Sequence, residues 1–126
     1  MTTTATATVT AGLSASAERR DRTLVATLAG TADLTVKPAL DQFMTSLHET
    51  ARTNATSEVL VDFTALAFMN SSCLKAFVTW ICMVQDMPSA AQYRIVLLSS
   101  ATAQWQQRSL HALACLAPEL VTLKNA

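Results

Sequence analysis

The stretch Val59-Leu-Val-Asp62-Phe63-Thr-Ala-Leu-Ala-Phe68-Met69-Asn70-Ser71-Ser72-Cys73-Leu74 decides how this chain is read. Its first part, Glu58 to Phe63, is a near-continuous apolar run of strand length, as expected for a strand covered on both faces. The residues up to Met69 read as a short loop that returns apolar side chains to the core. Asn70, Ser71 and Ser72 follow, all good N-cap types, whose side-chain oxygens accept from the free N–H groups of a helix's first turn. A helix is then predicted from Ser72 to about Met87, where Pro88 ends it. A helix start gathers unpaired N–H groups and the positive end of the helix dipole, so it favours an anion. A hydroxyl there, once phosphorylated, is held where it forms. The plainer reading of the same residues is a simple helix cap.

On either side of this stretch, strand and helix patterns alternate. Thr23 to Ala29 is a strand candidate ended by Gly30. Ala5 to Leu13 alternates Thr with Ala or Val and reads as an edge strand, with residues 1–7 equally readable as a frayed tail. Between them, the polar stretch Ser14 to Arg22 reads as a solvated hairpin connection. Leu40, Phe43, Met44 and Leu47 recur at the three–four spacing of a core-facing stripe. That spacing predicts a helix from Pro38 to Arg52, with Thr35 as its cap and Pro38 in the first turn, where its missing N–H costs little. Tyr93 to Leu98 is a further buried strand, Thr102 to about Leu113 a third helix, and Glu119 to Leu123 a short last strand. The order β-β-α-β-α-β-α-β implies βαβ crossovers and a largely parallel sheet of four or five strands. The fold class is therefore α/β, as one domain over residues 1–126. Two glycines and three prolines are too few turn residues for an all-β sandwich or barrel.

Composition excludes several functions. The chain has 126 residues, 9 Lys+Arg against 9 Asp+Glu, and 51% hydrophobic but only 14% charged residues. A formal charge of +0 argues against a general nucleic-acid binder, which needs a basic face to release counterions. No apolar run approaches about 20 residues, so no membrane-spanning helix is expected. Cys73, Cys82 and Cys115 are odd in number, have no C-x-x-C spacing, and lie far in sequence from His48 and His111. Neither a disulfide framework nor a metal site is expected, and no cofactor is called for. The start lacks a secretory signal pattern, so the expected setting is a reduced cytoplasm.

Three elements together resemble one family, the STAS domains (sulphate transporter and anti-sigma factor antagonist). A family strand reading roughly V-x-D-x-S/T-x-L-x-F-M, followed by D-S-S-G-L, is similar to Val61-Asp62-Phe63-Thr64-Ala65-Leu66-Ala67-Phe68-Met69 and Asn70-Ser71-Ser72-Cys73-Leu74. The family's L-x-G-x-x-D element looks like Leu28-Ala29-Gly30-Thr31-Ala32-Asp33, and its later strands resemble Ile95 to Ala101 and Val121 to Leu123. The resemblance covers about residues 22–124. It implies a compact domain with helices mainly on one side of the sheet, and a regulatory role in bacterial transcription signalling rather than catalysis. The implied partner is an anti-sigma factor that is also a serine kinase. The serine that such a kinase phosphorylates aligns with Ser71, and Asp33, Asn70, Ser72 and Cys73 are its implied neighbours. The chain departs from the pattern where Asn70 replaces Asp and Cys73 replaces Gly. Asn keeps the cap but removes a negative charge, and Cys puts a side chain where Gly lets a partner's backbone approach. A second reading is a STAS scaffold or oligomerisation module without the phosphoswitch.

The predicted helix after Ser72 is apolar on more than one side. Leu74, Phe77, Val78, Ile81 and Val84 form the expected core stripe, with Cys73, Ala76, Trp80, Met83 and Met87 beside it. Trp80, Met83 and Met87 are the candidates for contact with a partner or with a second copy in a homodimer, the alternative being cover by neighbouring helices. Cys73 near a helix start also admits a lowered thiol pKa and a redox or nucleophilic role, against the plainer reading as a small core residue.

Overall fold

The structure, a computed structural model, describes the strand course of residues 5–10 and, with their side chains, residues 12–53 and 55–126. Nine elements follow in chain order: β1 (Ala5–Thr10), β2 (Leu13–Arg20), β3 (Thr23–Ala32), α1 (Lys37–Thr53), β4 (Glu58–Met69), α2 (Ser71–Gln85), β5 (Arg94–Ser99), α3 (Gln104–Leu116) and β6 (Val121–Asn125). They build one sheet in the order β1-β2-β3-β4-β5-β6. β1, β2 and β3 pair antiparallel, and β3 to β6 pair parallel.

The expected α/β class and mostly parallel sheet are what the chain forms, with six strands rather than four or five. The added strand is β2, where a solvated connection was expected. Its charged end masks a period-two pattern: Leu13, Ala15 and Ala17 are buried while Ser14, Ser16 and Glu18 are exposed. Ala5–Thr10 is the edge strand; the tail reading of residues 1–4 lies outside the described residues.

Three successive crossovers, β3-α1-β4, β4-α2-β5 and β5-α3-β6, each step one strand the same way along the sheet. Right-handed crossovers of that kind put every helix on one face. Val59, Val61 and Phe63 point into that helical layer and are fully buried, whereas Leu60 and Asp62 on the other side are half-buried. β4 is thus covered by helices on one face only, not on both as its apolar run suggested. Among the described residues no helix is long and apolar enough to cross a membrane.

β4 also runs on through the expected loop to Met69. Two irregularities in its pairing with β3, between Thr27 and Ala29 and between Gly30 and Thr31, let it do so. Gly30 lies at φ +98, and a Cβ there would run into the Gly12 carbonyl, to which the neighbouring Thr31 N–H donates at 2.6 Å. A buried amide holds the far side of the same irregular stretch. Gln106 of α3 donates to the Phe63 and Leu66 carbonyls at 2.7 and 2.9 Å and accepts from the Ser100 N–H at 2.7 Å.

At the start of α1 the cap is Asp33 rather than Thr35. Asp33 Oδ1 accepts from the Thr35 N–H at 3.0 Å and from its hydroxyl at 2.6 Å, opening a 3-10 turn over Leu34–Val36 that runs straight into α1. Pro38 falls in the first turn of α1, as expected.

Candidate functional site

The site lies where parallel β3 and β4 end and α1 and α2 begin. Ligand and partner sites in open α/β sheets gather at such carboxyl ends because the loops and helix starts meet there. Asn70 is extended, at φ −79 and ψ 170, and its Oδ1 accepts from the Cys73 N–H at 2.8 Å. Its own N–H donates to the Ala32 carbonyl at 2.9 Å, which ties the start of α2 to the end of β3. One residue on, the Asp33 carbonyl accepts from the Cys73 thiol at 3.2 Å. These two bonds bring Asp33 together with Asn70, Ser71, Ser72 and Cys73, although nearly forty residues separate them in sequence.

Ser71 is the first residue of α2 and is exposed; Ser72 is half-buried. Asn70 occupies only the Cys73 N–H, and the N–H groups of Ser71 and Ser72 have no partner within the helix. A hydroxyl therefore sits in water at the positive end of a helix dipole. Lys75 lies four residues on, on the same helix face and also exposed. The Asp33 carboxyl is held below its usual range, first by the Thr35 hydroxyl and then by the Thr35 N–H.

Cys73 takes the plainer of its sequence-based readings, a small core residue, and departs from the other two. Its side chain is fully buried, so it occupies no surface where a partner's backbone would approach. Burial pushes the thiol pKa up, against a smaller opposing effect of Lys37, so the thiol is not activated by the helix start. Trp80 is not a surface residue either. It is 1% exposed and its indole N–H donates to the Tyr93 hydroxyl at 2.7 Å. The core stripe of α2 is Cys73, Ala76, Phe77, Trp80, Ile81 and Val84, rotated from the expected one. Of the three contact candidates, Met83 is 36% exposed and Met87 packs partly buried against the core.

Two further residues belong to this end of the sheet. Leu34 is 64% exposed and follows Asp33; Phe68 is 47% exposed, pairs with Thr31 and lies two residues before Asn70. Phe68 hid in an unbroken apolar run, and Leu34 stands outside any periodic stripe. The signal available was a large apolar residue within two positions of a cap residue. Behind Ser71, between α1 and α2, a groove of about 240 Å³ is lined by Met44, Ala76, Trp80 and Met83, with Lys75 and the Lys37–Asp41 ion pair (2.8 Å) on its rim. Among the described residues no group of three or more His, Cys, Asp or Glu is placed to hold a metal ion.

A two-strand antiparallel entry feeding a parallel βα series, with all helices on one face and a serine-bearing helix start at the end of the central strand, is the STAS fold. The same fold is found in the crystal structure of an anti-sigma factor antagonist from Mycobacterium paratuberculosis. This chain matches it with a TM-score of 0.64 at 17% identity, over 87% of this chain and 85% of that one. No family model matches the sequence, and no curated protein matches it.

Proposed function

We propose that this chain is a regulatory protein-binding module of the anti-sigma factor antagonist type. It docks on an anti-sigma factor serine kinase in the bacterial cytoplasm and is released when that kinase phosphorylates Ser71. The observation that carries this reading is the exposed Ser71 hydroxyl at the first position of α2, at the same end of the sheet as the exposed apolar side chains of Leu34 and Phe68. Large exposed apolar residues around a polar centre suit a contact that forms and breaks. The shared fold supports the reading, and three free cysteines fit a reducing compartment. The module acts by contact, with no cofactor and no nucleic-acid or membrane partner.

The switch is electrostatic. Phosphorylation adds about −1.5 to −2 charges to a surface that a partner must desolvate. Within the chain, the free N–H groups of α2 and the Lys75 ammonium would offset that charge, so the fold tolerates it while the interface does not. Like charges brought together at an interface cost several kcal/mol, about a hundredfold or more in affinity.

The test is incubation with ATP and the serine kinases of the same cell, followed by mass spectrometry of the Ser71 peptide and binding measurements on variants. Modification at Ser71, with Ser71→Asp losing about a hundredfold in affinity and Ser71→Ala keeping it, is the expected result. Equal affinity of both variants for a kinase that binds but does not modify Ser71 would select the second reading, a scaffold without a phosphoswitch. Asn70 favours that second reading, since it leaves the acceptor hydroxyl without the neighbouring carboxylate that the family pattern carries.

A further inference from the structure

Two buried side chains from different helices converge on the hydroxyl of a third, Tyr93. His48 of α1 is 5% exposed, Trp80 of α2 and Tyr93 just ahead of β5 each 1%. The Trp80 Nε1 lies 2.7 Å from the Tyr93 oxygen, and the His48 Nδ1 lies 2.7 Å from it on another side. An indole N–H only donates, so Tyr93 accepts from Trp80. Among the described residues, the remaining partner for the hydroxyl proton is the His48 Nδ1, which must then be unprotonated. The geometry therefore assigns His48 as the neutral tautomer that carries its proton on Nε2.

We propose that His48 is a proton sensor built into the junction of α1, α2 and β5, and that its protonation breaks this relay and loosens α1 from α2. An imidazolium donates from both nitrogens. The Tyr93 oxygen would then face two donors while its own proton lost its acceptor, in a buried site.

The charged groups around His48 do not relieve this. Glu49 favours the cation and Arg52 opposes it, and these two are bound to each other at 2.9 and 3.0 Å. Tyr93 is a neutral phenol whose ionisation burial pushes upward. Trp80 does not titrate, the inward-facing residues of β2 and β3 are leucine and alanine, and the sequence of β1 contains no titratable residue. Desolvation is the largest influence on His48, and it lowers its pKa from the ordinary 6.5.

The experiment is ¹⁵N NMR of the imidazoles of the intact chain, with urea unfolding of the wild type and of His48→Asn, from pH 7.5 to 5. An Asn Oδ1 offers the Tyr93 proton an acceptor near the place of Nδ1 and does not titrate. The expected result is an unprotonated Nδ1 at pH 7.5 and titration of His48 below 6.5. The unfolding constant of the wild type then rises by up to about tenfold per pH unit more than that of the variant. A protonated Nδ1 at pH 7.5, or titration at or above 6.5, overturns the proposal, as does an equal pH dependence in both proteins. Should His48→Asn not fold, the wild-type imidazole signals alone decide.

Discussion

At Asn70 an amide oxygen does for α2 what a carboxylate would do, accepting from the Cys73 N–H at 2.8 Å. Replacing it by Ala is expected to destabilise the fold by about 1 kcal/mol. Asn70→Asp keeps the acceptor and puts a negative charge at the positive helix end, which should add about 0.5 kcal/mol. Urea denaturation of both variants checks this, and an unchanged midpoint for Asn70→Ala would mean that water replaces the cap without loss. Cys73 is the second departure from the family pattern, and here the buried thiol tells which way it works. It fills core space and donates to the Asp33 carbonyl, linking the segment before α1 to the first turn of α2. Cys73→Gly restores the family residue yet should cost about 2 kcal/mol, from added backbone freedom in a helix and an emptied core position. A gain in thermal stability would show that the glycine suits this site better than its packing suggests. These contiguous residues were legible because capping chemistry is local. The direction of the Cys73 side chain was not, since it depends on how α2 rotates onto the sheet.

Among the elements, β4 depends on α3 in a way its own sequence does not announce. Beyond Asp62 it has left β5, and its pairing with β3 is irregular, so the Phe63 and Leu66 carbonyls need other donors. Gln106 supplies both from one side-chain NH₂. Gln106→Leu keeps the apolar volume but orphans those carbonyls and the Ser100 N–H, an expected loss of about 3 kcal/mol. Amide hydrogen exchange of residues 63–69 should speed up in the variant. Unchanged exchange and stability would mean that the irregular stretch holds itself. The sequence did carry a signal: Gln106 falls at the same helical spacing as the buried Leu110 and Leu113, a polar residue on an apolar stripe. β2 was missed for the opposite reason. Its inward residues after Leu13 are only alanines, too weakly apolar to stand out among Ser, Glu and Arg. Strand existence was clear wherever Val, Ile and Leu clustered and unclear wherever small residues did the packing. The burial of Trp80 was hidden because α2 is apolar around most of its circumference, so periodicity could not choose its inner face.

Taken as a whole molecule, the chain joins groups whose proton affinities differ between folded and unfolded states, and these set how acid acts on it. His48 is held below its ordinary 6.5, so the unfolded chain binds the proton more readily. The stability it allows is complete above that value and declines as pH falls below it. Glu49 and Asp33 are also lowered, from 4.5 and 3.8, by the Arg52 guanidinium and the Thr35 hydroxyl respectively. Depressed carboxylates contribute stability above their unfolded values and lose it as pH falls through the folded ones. Both are exposed, so their share is small and salt screens it further. The urea midpoint should therefore stay level above pH 7, fall in a first step beginning near 6.5, and fall again below about 4.5. Because the first step belongs to a buried group, 0.5 M salt should leave it in place while shrinking the second. Thr35→Val, which removes the hydroxyl that favours the Asp33 carboxylate, should alter only the second step. One decline confined to pH below 4.5, equally sensitive to salt throughout, would mean that the buried junction takes no part and that surface carboxylates alone govern acid unfolding.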